Sequence, residues 1–563
     1  MPPPFPRVHP FVYIIGLSSL LFIPFLGQAH LFDLDEINFA ECSREMILTN
    51  DYTRVHMDFQ PFYEKPPLFF WMQSVAMKIF GINEFAARLP NAVSGIITLL
   101  VVFVCGKRIY GKKFGIYWTL AYAGSLFPNM YFRSGIIDPW FNLFTFLSVY
   151  YFILYHWKRN QFDKEGLTKS SWVYASLSGV FMGLAILMKG PAALMVFMLL
   201  LAVYFIYNRF RFYFGWGHAG LFLFVTILVT FVWYGYETLR HGPSFVNEFL
   251  KYQYRLFTTH DAGQKGFAGY HFIVILMGCF PASLFAIPSL FKTNYSSRYD
   301  KDFKKWMIFL LCVVLLLFTF VQSRIIHYSS LAWFPVSFLA AYSFYKWELK
   351  EIKDNKYTCR LISIIGGLIA LVLMIVPFVG MNIKKMIPYV KDKFAQANME
   401  AQVSWTGLES FAGILLLFTI IIGLREFKKK EYRRSAWIFF SGTALVVFLA
   451  TVLITPRIEK YSQGAAIEFL KQRQGEDCYV KTIGYKSYAD IYYTEKGKPV
   501  NQNYYNLEWL LAGNIDKPVY FVTKLSRLER FSNYTELKEL YRKNGFVFLK
   551  REMPVGADSW IKE

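Results

Sequence analysis

Carboxylates are concentrated in one short stretch of this chain, residues 33–64. The stretch contains Asp33, Asp35, Glu36, Glu41, Glu45, Asp51, Asp58 and Glu64. Carboxylates act in enzymes as general bases and as ligands of divalent cations. The chain as a whole carries a formal net charge of +22, so this acidic stretch is a local exception. The stretch is therefore a candidate site of chemistry.

Further charged candidates lie at the ends of apolar segments. Asp138 stands in the segment IIDPW, where a charge at depth would have to face a cavity rather than lipid. Four cations, Lys189, Arg255, Arg324 and His327, lie near such ends on the same predicted side, where they could bind an anionic group. Structural alternatives stay open for all of them. Asp35 and Asp138 would also suit the start of a helix, and the cations would also suit the membrane interface.

Long apolar segments must position these residues. Hydrophobic residues make up 55% of the 563 residues and charged residues only 18%, which is typical of a polytopic membrane protein. Thirteen segments are predicted to span the membrane, and the first is expected to be an uncleaved helix because no small-residue cleavage site follows it. The segments are 11–29, 88–106, 114–132, 136–156, 172–188, 191–207, 219–237, 269–291, 306–322, 328–345, 359–381, 408–424 and 436–455.

The basic residues are distributed unevenly between the loops on the two sides. Loops after the even-numbered spans hold 26 Lys and Arg in 73 residues, whereas the opposite loops hold 15 in 125. Cytoplasmic loops are enriched in Lys and Arg, so the first set is predicted to be cytoplasmic. The amino terminus is then predicted on the cytoplasmic side of the plasma membrane, and the acidic stretch and the carboxy terminus are predicted on the outer side. Topology thus accounts for the positive charge, and no nucleic-acid partner is expected.

The chain is predicted to contain two domains, a transmembrane domain over residues 1–455 and a small soluble α/β domain outside the membrane over 456–563. In the second domain, CYVKTIGY, PVYFVTK and GFVFLKRE are predicted strands, and ERFSNYTELKELYRKNG is predicted to be helical towards its end. The sequence shows no glycine-rich phosphate loop, so no nucleotide cofactor is expected.

The first outer loop, residues 30–87, is predicted to fold rather than to act as a tether. EINFAECSREMIL and PPLFFWMQSVAMKIFG have the spacing and start signals of two short helices, which we expect to lie along the membrane surface. Cys42 in this loop and Cys478 in the soluble domain are both placed outside, so a disulfide between them stays open.

Several motifs, taken in order, resemble a known enzyme family. DEINFAECSREM, YEKPPLFFWM and RLPNAVSG are similar to the first outer loop of GT-C glycosyltransferases that use polyprenyl-phosphate sugars. RSGIIDPWFNLF, GLAILMKGPAALM and SRIIHYSSLAWFPVSFLAAY follow in the same order. The nearest resemblance is to the aminoarabinose transferases that modify lipid A, within the protein O-mannosyltransferase superfamily. The resemblance implies a polytopic α-helical fold of the GT-C type with about 13 transmembrane helices and a small external domain.

The resemblance also implies an activity and roles for single residues. A sugar would pass with inversion from a polyprenyl-phosphate donor to an acceptor, and the lipid phosphate would leave without needing a proton. Asp35 matches the acidic residue of the family's first loop and is predicted to be the base, and Asp138 is predicted to lie near the acceptor or the sugar. The donor phosphate is predicted to contact Lys65, Lys189, Arg255, Arg324 and His327.

A divalent metal, either zinc or magnesium or manganese, is a further implication of the resemblance. Glu64 would be one ligand, although it also suits a plain ion pair with Lys65. Family members with zinc use a histidine from the loop before span 8, and this chain offers His260 there, displaced from the family position. Asn38 is a second departure, because the aminoarabinose transferases usually have arginine at that place.

Several functions stay open at this point. The leading hypothesis is transfer of a sugar to a lipid A-like glycolipid, and the alternative within the superfamily is transfer to a protein hydroxyl. A transporter or flippase is the rival from another class, but transporters place ionisable groups at the bilayer midplane, often in repeated halves. Here the carboxylates cluster in one outer loop. A membrane anchor for the external domain would need neither thirteen spans nor such a loop.

Overall fold

The computed structural model describes residues 9–162, 167–259, 267, 269–291, 295–321, 324–352 and 356–553. The first helices are α1 Pro10–Phe22, α2 Asp35–Thr49, α3 Leu68–Phe80, α4 Glu84–Tyr110, α5 Lys112–Ala123, α6 Leu126–Tyr131, α7 Asp138–Arg159, α8 Ser171–Lys189, α9 Ala192–Tyr207, α10 Trp216–His241, α11 Ser244–Thr258 and α12 Tyr270–Gly278. The next are α13 Ala282–Leu290, α14 Arg298–Phe320, α15 Trp333–Glu348, α16 Lys356–Met381, α17 Lys393–Asn398, α18 Phe411–Lys428, α19 Tyr432–Leu453, α20 Thr455–Ser462, α21 Gly464–Lys471, α22 Ala489–Tyr492 and α23 Leu507–Ala512. The strands are β1 His56–Met57, β2 Gln60–Pro61, β3 Tyr479–Thr482, β4 Val519–Lys524, β5 Lys538–Lys543 and β6 Phe546–Arg551.

The long helices begin and end at residues suited to capping. The Asn83 side chain accepts a hydrogen bond from the Ala86 N–H at the start of α4, and the Ser297 hydroxyl accepts one from Asp300 N–H at the start of α14. Helix α8 ends at Gly190, whose φ of +85° and close contact with Phe249 leave no room for a Cβ. These boundaries fix where α8 delivers Lys189, its last residue.

Each of the thirteen predicted spans overlaps at least one helix. Within the described ranges, seven helical segments are long and apolar enough to cross a membrane, and the pair α12 and α13, bent by 113°, would make an eighth. The seven are Glu84–Tyr110, Ser171–Lys189, Trp216–His241, Arg298–Phe320, Lys356–Met381, Leu408–Lys428 and Tyr432–Ser462. The total of thirteen stays a prediction.

Helix α7 shows why some predicted spans are less apolar than lipid requires. Nineteen of its 22 residues are buried, so its polar side chains are satisfied by protein. Asn142 donates to the Ser330 hydroxyl at 2.8 Å, and the Trp140 indole donates to the Pro90 carbonyl at 3.0 Å. A helix enclosed by other helices needs no uniformly apolar surface.

The soluble domain contains a four-stranded sheet of order β3-β4-β6-β5. Strands β3 and β4 are parallel, and the other neighbours are antiparallel. The three predicted strands are confirmed, but the predicted helix over ERFSNYTELKELYRKNG is wrong, because its second half forms β5. Asn544 and Gly545 both have positive φ and make the two-residue turn from β5 to β6. Asn-Gly is the strongest sequence signal for such a hairpin.

The two predicted helices of the first outer loop are confirmed as α2 and α3, but α2 does not lie open on a membrane surface. Most of α2 is buried, and Ile37 and Ala40 share one hydrophobic core with Ile467 and Phe548 of the soluble domain. The helix is therefore enclosed between the two domains. Cys42 and Cys478 are both free thiols in the structure.

Candidate active site

Four helix ends converge to form the candidate site. Asp35 is the first residue of α2, Asp138 is the first residue of α7, and Lys189 is the last residue of α8. His327 lies in the short 3₁₀ segment Ile326–Ala332 that precedes α15. Acidic residues suit the first turn of a helix and basic residues suit the last, so Asp35, Asp138 and Lys189 occupy favourable positions for their charge.

His327 stands between the two aspartates. Its Nε2 atom is 3.8 Å from Asp35 Oδ2 and 3.8 Å from Asp138 Oδ2. The Lys189 ammonium donates to Asp138 Oδ1 at 2.6 Å, and both of these side chains are largely buried. The Asp35 side chain is 46% exposed. Asp138 is thus neutralised by its neighbours, whereas Asp35 remains accessible.

A buried ion pair next to Asp35 fixes the start of α2. Arg88 makes two hydrogen bonds to the Glu36 carboxylate, at 3.0 and 2.8 Å, and also donates to the carbonyls of Leu26 and Ala29. Burial alone would raise the pKa of Glu36, but the charge and hydrogen bonds of Arg88 outweigh it and hold that pKa below its usual value. Glu36 therefore stays charged and anchors α2 to α4.

A basic cavity of about 120 Å³ lies on one side of Asp35. We call it the basic cavity, and its charged lining residues are Asp35, Lys65, Asp138, Lys189 and His327. Tyr252, Gln253 and Tyr328 add polar groups, and Phe39, Phe141, Met195, Leu256 and Phe318 are among its apolar wall. The cavity thus joins two lysines, two aspartates and His327 to an apolar wall.

Lys65 extends into the basic cavity from the first outer loop. Its ammonium donates to the Tyr252 hydroxyl at 3.3 Å. The pKa of Lys65 is lowered, because the effect of burial is larger than the opposing effect of the carboxylates of Glu64, Asp35 and Asp138. A buried cation of this kind is stabilised by an anion placed next to it.

A second, larger cavity of about 350 Å³ is also lined by Asp35. Its wall includes the apolar side chains Phe25, Leu26, Phe32, Leu34, Met130 and Ile136 and the charged side chains Asp33, Asp35, Glu36, Arg88, Arg133 and His327. Thr451 of α19 and Thr455 and Pro456 of α20 complete it. Asp35 and His327 are the two residues that line both cavities.

Arg133 gives the larger cavity a buried cation. Its guanidinium donates to the carbonyls of Leu21 at 2.9 Å and Pro24 at 2.7 Å, and its Nε has no hydrogen-bond partner among the described residues. Burial, together with the nearby charge of Arg88, lowers the pKa of Arg133 to about 10. An anionic group in this cavity would complement it.

The structure places the other predicted residues less centrally. Arg255 lies in the last turn of α11, over the Tyr252 ring and outside the lining of the basic cavity. Arg324 is partly buried, and its Nε and Nη1 atoms have no hydrogen-bond partner among the described residues. Glu64 lies beside Lys65, and their charges interact. Of the predicted set, the basic cavity therefore joins Asp35, Asp138, Lys65, Lys189 and His327.

The predicted metal ligands do not form a recognisable site in the described part of the chain. His260 lies outside the described residues. Among the residues that the structure does describe, no three His, Cys, Asp or Glu side chains are grouped closely enough to hold a metal ion. The metal stays a prediction.

Several site residues give no distinctive signal in the sequence. Tyr252 is one of many aromatic residues in α11, and only the fold brings it to Lys65. Arg88 and Arg133 are polar residues near predicted span ends. Only the fold shows that both donate hydrogen bonds to backbone carbonyls of the segment between α1 and α2. Tyr328 could have been found, because it directly follows His327 in the motif SRIIHYSS.

The amino-acid sequence is similar to a known protein family and to several known proteins. Residues 64–234 match the family described as dolichyl-phosphate-mannose-protein mannosyltransferase. An uncharacterised protein of Aquifex aeolicus is 24% identical over 430 residues, which cover 75% of this chain and 91% of that protein. The undecaprenyl phosphate-alpha-4-amino-4-deoxy-L-arabinose arabinosyl transferase of Erwinia tasmaniensis is 23% identical over 64% of this chain, and the match spans 66% of that enzyme's length.

The fold is shared with a solved structure over almost the whole chain. ArnT from Cupriavidus metallidurans, in the crystal structure bound to undecaprenyl phosphate, superimposes with a TM-score of 0.72 at 16% identity. The superposition covers 97% of this chain and 98% of that one. The expected polytopic helical fold with a small carboxy-terminal domain is confirmed at this level.

Proposed function

We propose that the chain belongs to the GT-C superfamily of membrane glycosyltransferases, which contains the protein O-mannosyltransferases and the aminoarabinose transferases. In this proposal it moves a sugar from a polyprenyl-phosphate donor to a glycolipid acceptor. The reaction would take place at the outer face of the bacterial inner membrane. One observation carries the proposal: two cavities of different character meet at Asp35 and His327. Such an arrangement suits a displacement in which two lipid substrates approach a single base.

The basic cavity suits the phosphate of the donor. Lys65 and Lys189 face it, and charge-assisted hydrogen bonds from ammonium groups to phosphate are among the stronger polar contacts, with about 1.5–3 kcal/mol each. The apolar wall formed by residues such as Phe141, Met195 and Phe318 continues from these cations and suits the first part of a polyprenyl chain. ArnT from Cupriavidus metallidurans, which shares this fold, was crystallised with undecaprenyl phosphate bound, and this supports the same donor class here.

The proposed reaction is a direct displacement with inversion. An acceptor oxygen in the larger cavity forms a bond to the anomeric carbon of the sugar while the bond from that carbon to the phosphate oxygen breaks. Asp35 takes the proton from the acceptor, or orients the acceptor if it arrives already ionised. The electron pair of the broken bond stays on the polyprenyl phosphate, whose added charge Lys65 and Lys189 stabilise.

Asp138 and His327 support this reaction without touching the acceptor proton. Asp138 holds the Lys189 ammonium at 2.6 Å and so directs it towards the donor phosphate. Burial lowers the pKa of His327 more than the charge of Asp138 raises it, which favours a neutral imidazole. Its Nε2 atom lies 3.8 Å from each aspartate.

A lipid acceptor fits the larger cavity better than a protein segment does. Much of its wall is apolar, and Thr451 near the end of α19 lines it, at the end of a helical segment long and apolar enough to cross a membrane. Arg133 offers its buried charge to an anionic group. A phosphorylated glycolipid such as a lipid A-like molecule combines acyl chains with anionic groups, so it matches both features.

Two experiments test the proposal together. Purified protein with a radiolabelled polyprenyl-phosphate sugar and lipid A should yield a labelled glycolipid, and lipid mass spectrometry should find that glycolipid in the parent strain but not in a strain lacking the protein. If the radiolabelled sugar were instead transferred to a peptide and not to lipid, the acceptor would be a protein. Accumulation of a solute in vesicles without any sugar transfer would overturn the glycosyltransferase proposal in favour of transport.

A further inference from the structure

We propose that the soluble domain is part of the active site, with Ser487 and Tyr488 acting as positioning residues that hold Asp35 in place through Asp33. The inference rests on the proposed function, in which Asp35 is the base. It assigns a role in catalysis to a domain whose sequence offers no chemical motif. The two residues lie more than 450 positions away from Asp33 in the sequence, so only the fold brings them together.

The Asp33 carboxylate is bound by the soluble domain on both of its oxygens. The Ser487 hydroxyl donates to Oδ2, and the Tyr488 N–H donates to Oδ1 at 3.2 Å. Both donors belong to the loop 484–488 that follows β3. Asp33 lines the larger cavity together with Asp35, two residues further on, so the contact lies at the edge of the site itself.

The backbone before Asp35 is held from the same side. Leu31 donates its N–H to the Tyr493 hydroxyl at 2.7 Å, and its carbonyl accepts from the Gln463 amide at 2.7 Å. His30 contacts Glu459 at 3.1 Å. Residues 30–33 are thus attached to the soluble domain at several consecutive points.

A second anchor holds the chain just after Asp35. Glu36 is bound to Arg88 of α4, as described above, and also accepts from the N–H groups of Phe32 and Gly135. Asp35 lies between the Asp33 anchor on the soluble domain and the Glu36 anchor on the membrane domain. The position of its half-exposed carboxylate is therefore set by these two anchors.

This arrangement has a kinetic consequence. A base must lie within hydrogen-bonding distance of the proton that it removes, and a displacement of about 1 Å can lower the rate by about 10²-fold. The donor phosphate, in contrast, is bound by Lys65 and Lys189, which Asp33 does not contact. Loss of the Asp33 anchor should therefore lower kcat and leave the KM for the donor nearly unchanged.

The test uses the full-length protein in detergent or nanodiscs with a polyprenyl-phosphate sugar as donor. Ser487→Ala and Asp33→Ala should each lower kcat by about 10- to 100-fold, with a donor KM within about twofold of wild type. The double variant should be little worse than either single variant, because both changes remove the same contact. Ser487→Thr keeps the hydroxyl and should restore kcat to within about threefold of wild type.

Lys481→Met is the matched control. Lys481 forms a different contact between the soluble domain and the first outer loop, a salt bridge to Asp58 at 2.6 Å. This variant should lower the thermal stability of the protein and leave kcat close to wild type. A drop in kcat for Lys481→Met as large as that for Ser487→Ala would mean that the domain matters only for stability, and the positioning proposal would be overturned.

The outcomes also separate this inference from the proposed function. If wild-type protein transfers no sugar from the donor, the proposed function itself fails. If wild-type protein is active and Asp35→Asn is inactive, but Ser487→Ala and Asp33→Ala retain the wild-type kcat, only the positioning role is refuted.

Discussion

Asp35 and Asp138 each begin a helix, yet their surroundings give them different tasks. Asp138 is buried and paired with Lys189 at 2.6 Å, so its lone pairs are engaged. Asp35 is 46% exposed, lines both cavities and has His327 as its ionisable neighbour at 3.8 Å. A carboxylate whose lone pairs are not bound to a cation is the better proton acceptor, which is why the base is assigned to Asp35.

Asp35→Asn should leave the protein folded and inserted but reduce the rate of sugar transfer by about 10²–10⁴-fold. The substitution keeps the size and hydrogen-bonding capacity of the side chain and removes its charge. Initial rates with a radiolabelled donor would measure the effect. Asp51→Asn is a control in the same loop, outside the lining of both cavities, and should keep wild-type activity. Activity of Asp35→Asn within a few-fold of wild type would leave Asp35 as a residue that only starts α2.

Lys189 differs from the interfacial lysine that its place at a span end also suggested. Because it is paired with buried Asp138, Lys189→Met should destabilise the protein by about 3–5 kcal/mol by leaving a buried charge alone. The double variant Asp138→Asn/Lys189→Met should recover most of this stability, while its KM for the donor should rise by about tenfold or more for lack of a phosphate contact.

Thermal unfolding in detergent and donor titrations would measure the two effects of the Lys189 variants. Lys251→Met is the control, because Lys251 pairs with Glu248 on an exposed surface and should change stability by less than about 1 kcal/mol. An unchanged donor KM in the double variant would show that Lys189 contributes structure alone.

At the scale of helices and strands, the sequence predicts the positions of the elements better than it predicts which elements contact each other. Hydrophobic length located α4, α8 and α10, and alternating strand residues located β3, β4 and β6. The hairpin of β5 and β6 was not predicted, because the charged segment that forms β5 has the residue spacing of a helix. In the structure, the Asn-Gly turn that follows this segment decides its conformation, and the segment is a strand. Membrane helices are specified by length and apolarity, which say nothing about which neighbour each helix contacts.

The arrangement of the candidate site could be predicted only in part for the same reason. Asp138, Lys189 and His327 could be selected from the sequence because a charge at the end of an apolar segment is energetically costly unless it faces a cavity or a partner. Asp35 and Lys65 were selected because they match motifs of the family's first outer loop. Their meeting around His327 depends on the packing of α7 against α8 and the 3₁₀ segment, which no local pattern encodes. Residues such as Ser487, whose role depends on a contact across the whole chain, were out of reach for the same reason.

Helix α22 of the soluble domain carries a buried carboxylate that should destabilise the fold at neutral pH. Asp490 Oδ2 accepts from the Thr482 N–H at 2.8 Å, and Oδ1 has no hydrogen-bond partner among the described residues. Burial raises the pKa of Asp490 to about 6, from 3.8. The folded state therefore binds the proton more tightly, and stability falls as the pH rises from about 4 to 6, by about 3 kcal/mol in total.

Asp490→Asn should remove this penalty. The variant should raise the melting temperature at pH 7.5, and the gain should shrink at pH 5, where wild-type Asp490 is largely protonated. Asp477→Asn is the control, because Asp477 is 81% exposed and pairs with Lys517 at the surface, so it should shift the melting temperature little at either pH. Equal gains at pH 7.5 and pH 5, or a loss, would contradict the assignment.

At the scale of the whole molecule, the two cavities, the first outer loop and the soluble domain all lie at one end of the helix bundle. The soluble domain covers α2 and shares a core with it, so the candidate site is enclosed between the two domains. Both proposed substrates would have to reach the site from the side of the membrane on which this end lies. The side of the membrane on which this end lies consequently decides whether the proposed reaction can use an outward-facing donor.

Tags at two positions would determine the orientation. The 26 Lys and Arg in 73 residues of one loop set, against 15 in 125 of the other, predict that the loop 292–306 faces the cytoplasm and that the carboxy terminus is outside. In intact cells, an impermeant reagent should label a tag at the carboxy terminus and fail to label one in that loop, and permeabilised cells should label both. Labelling of both tags in intact cells would mean that the odd number of spans predicted between them is wrong. Labelling of the loop alone would place the acidic site in the cytoplasm, where a donor facing outward could not reach Asp35.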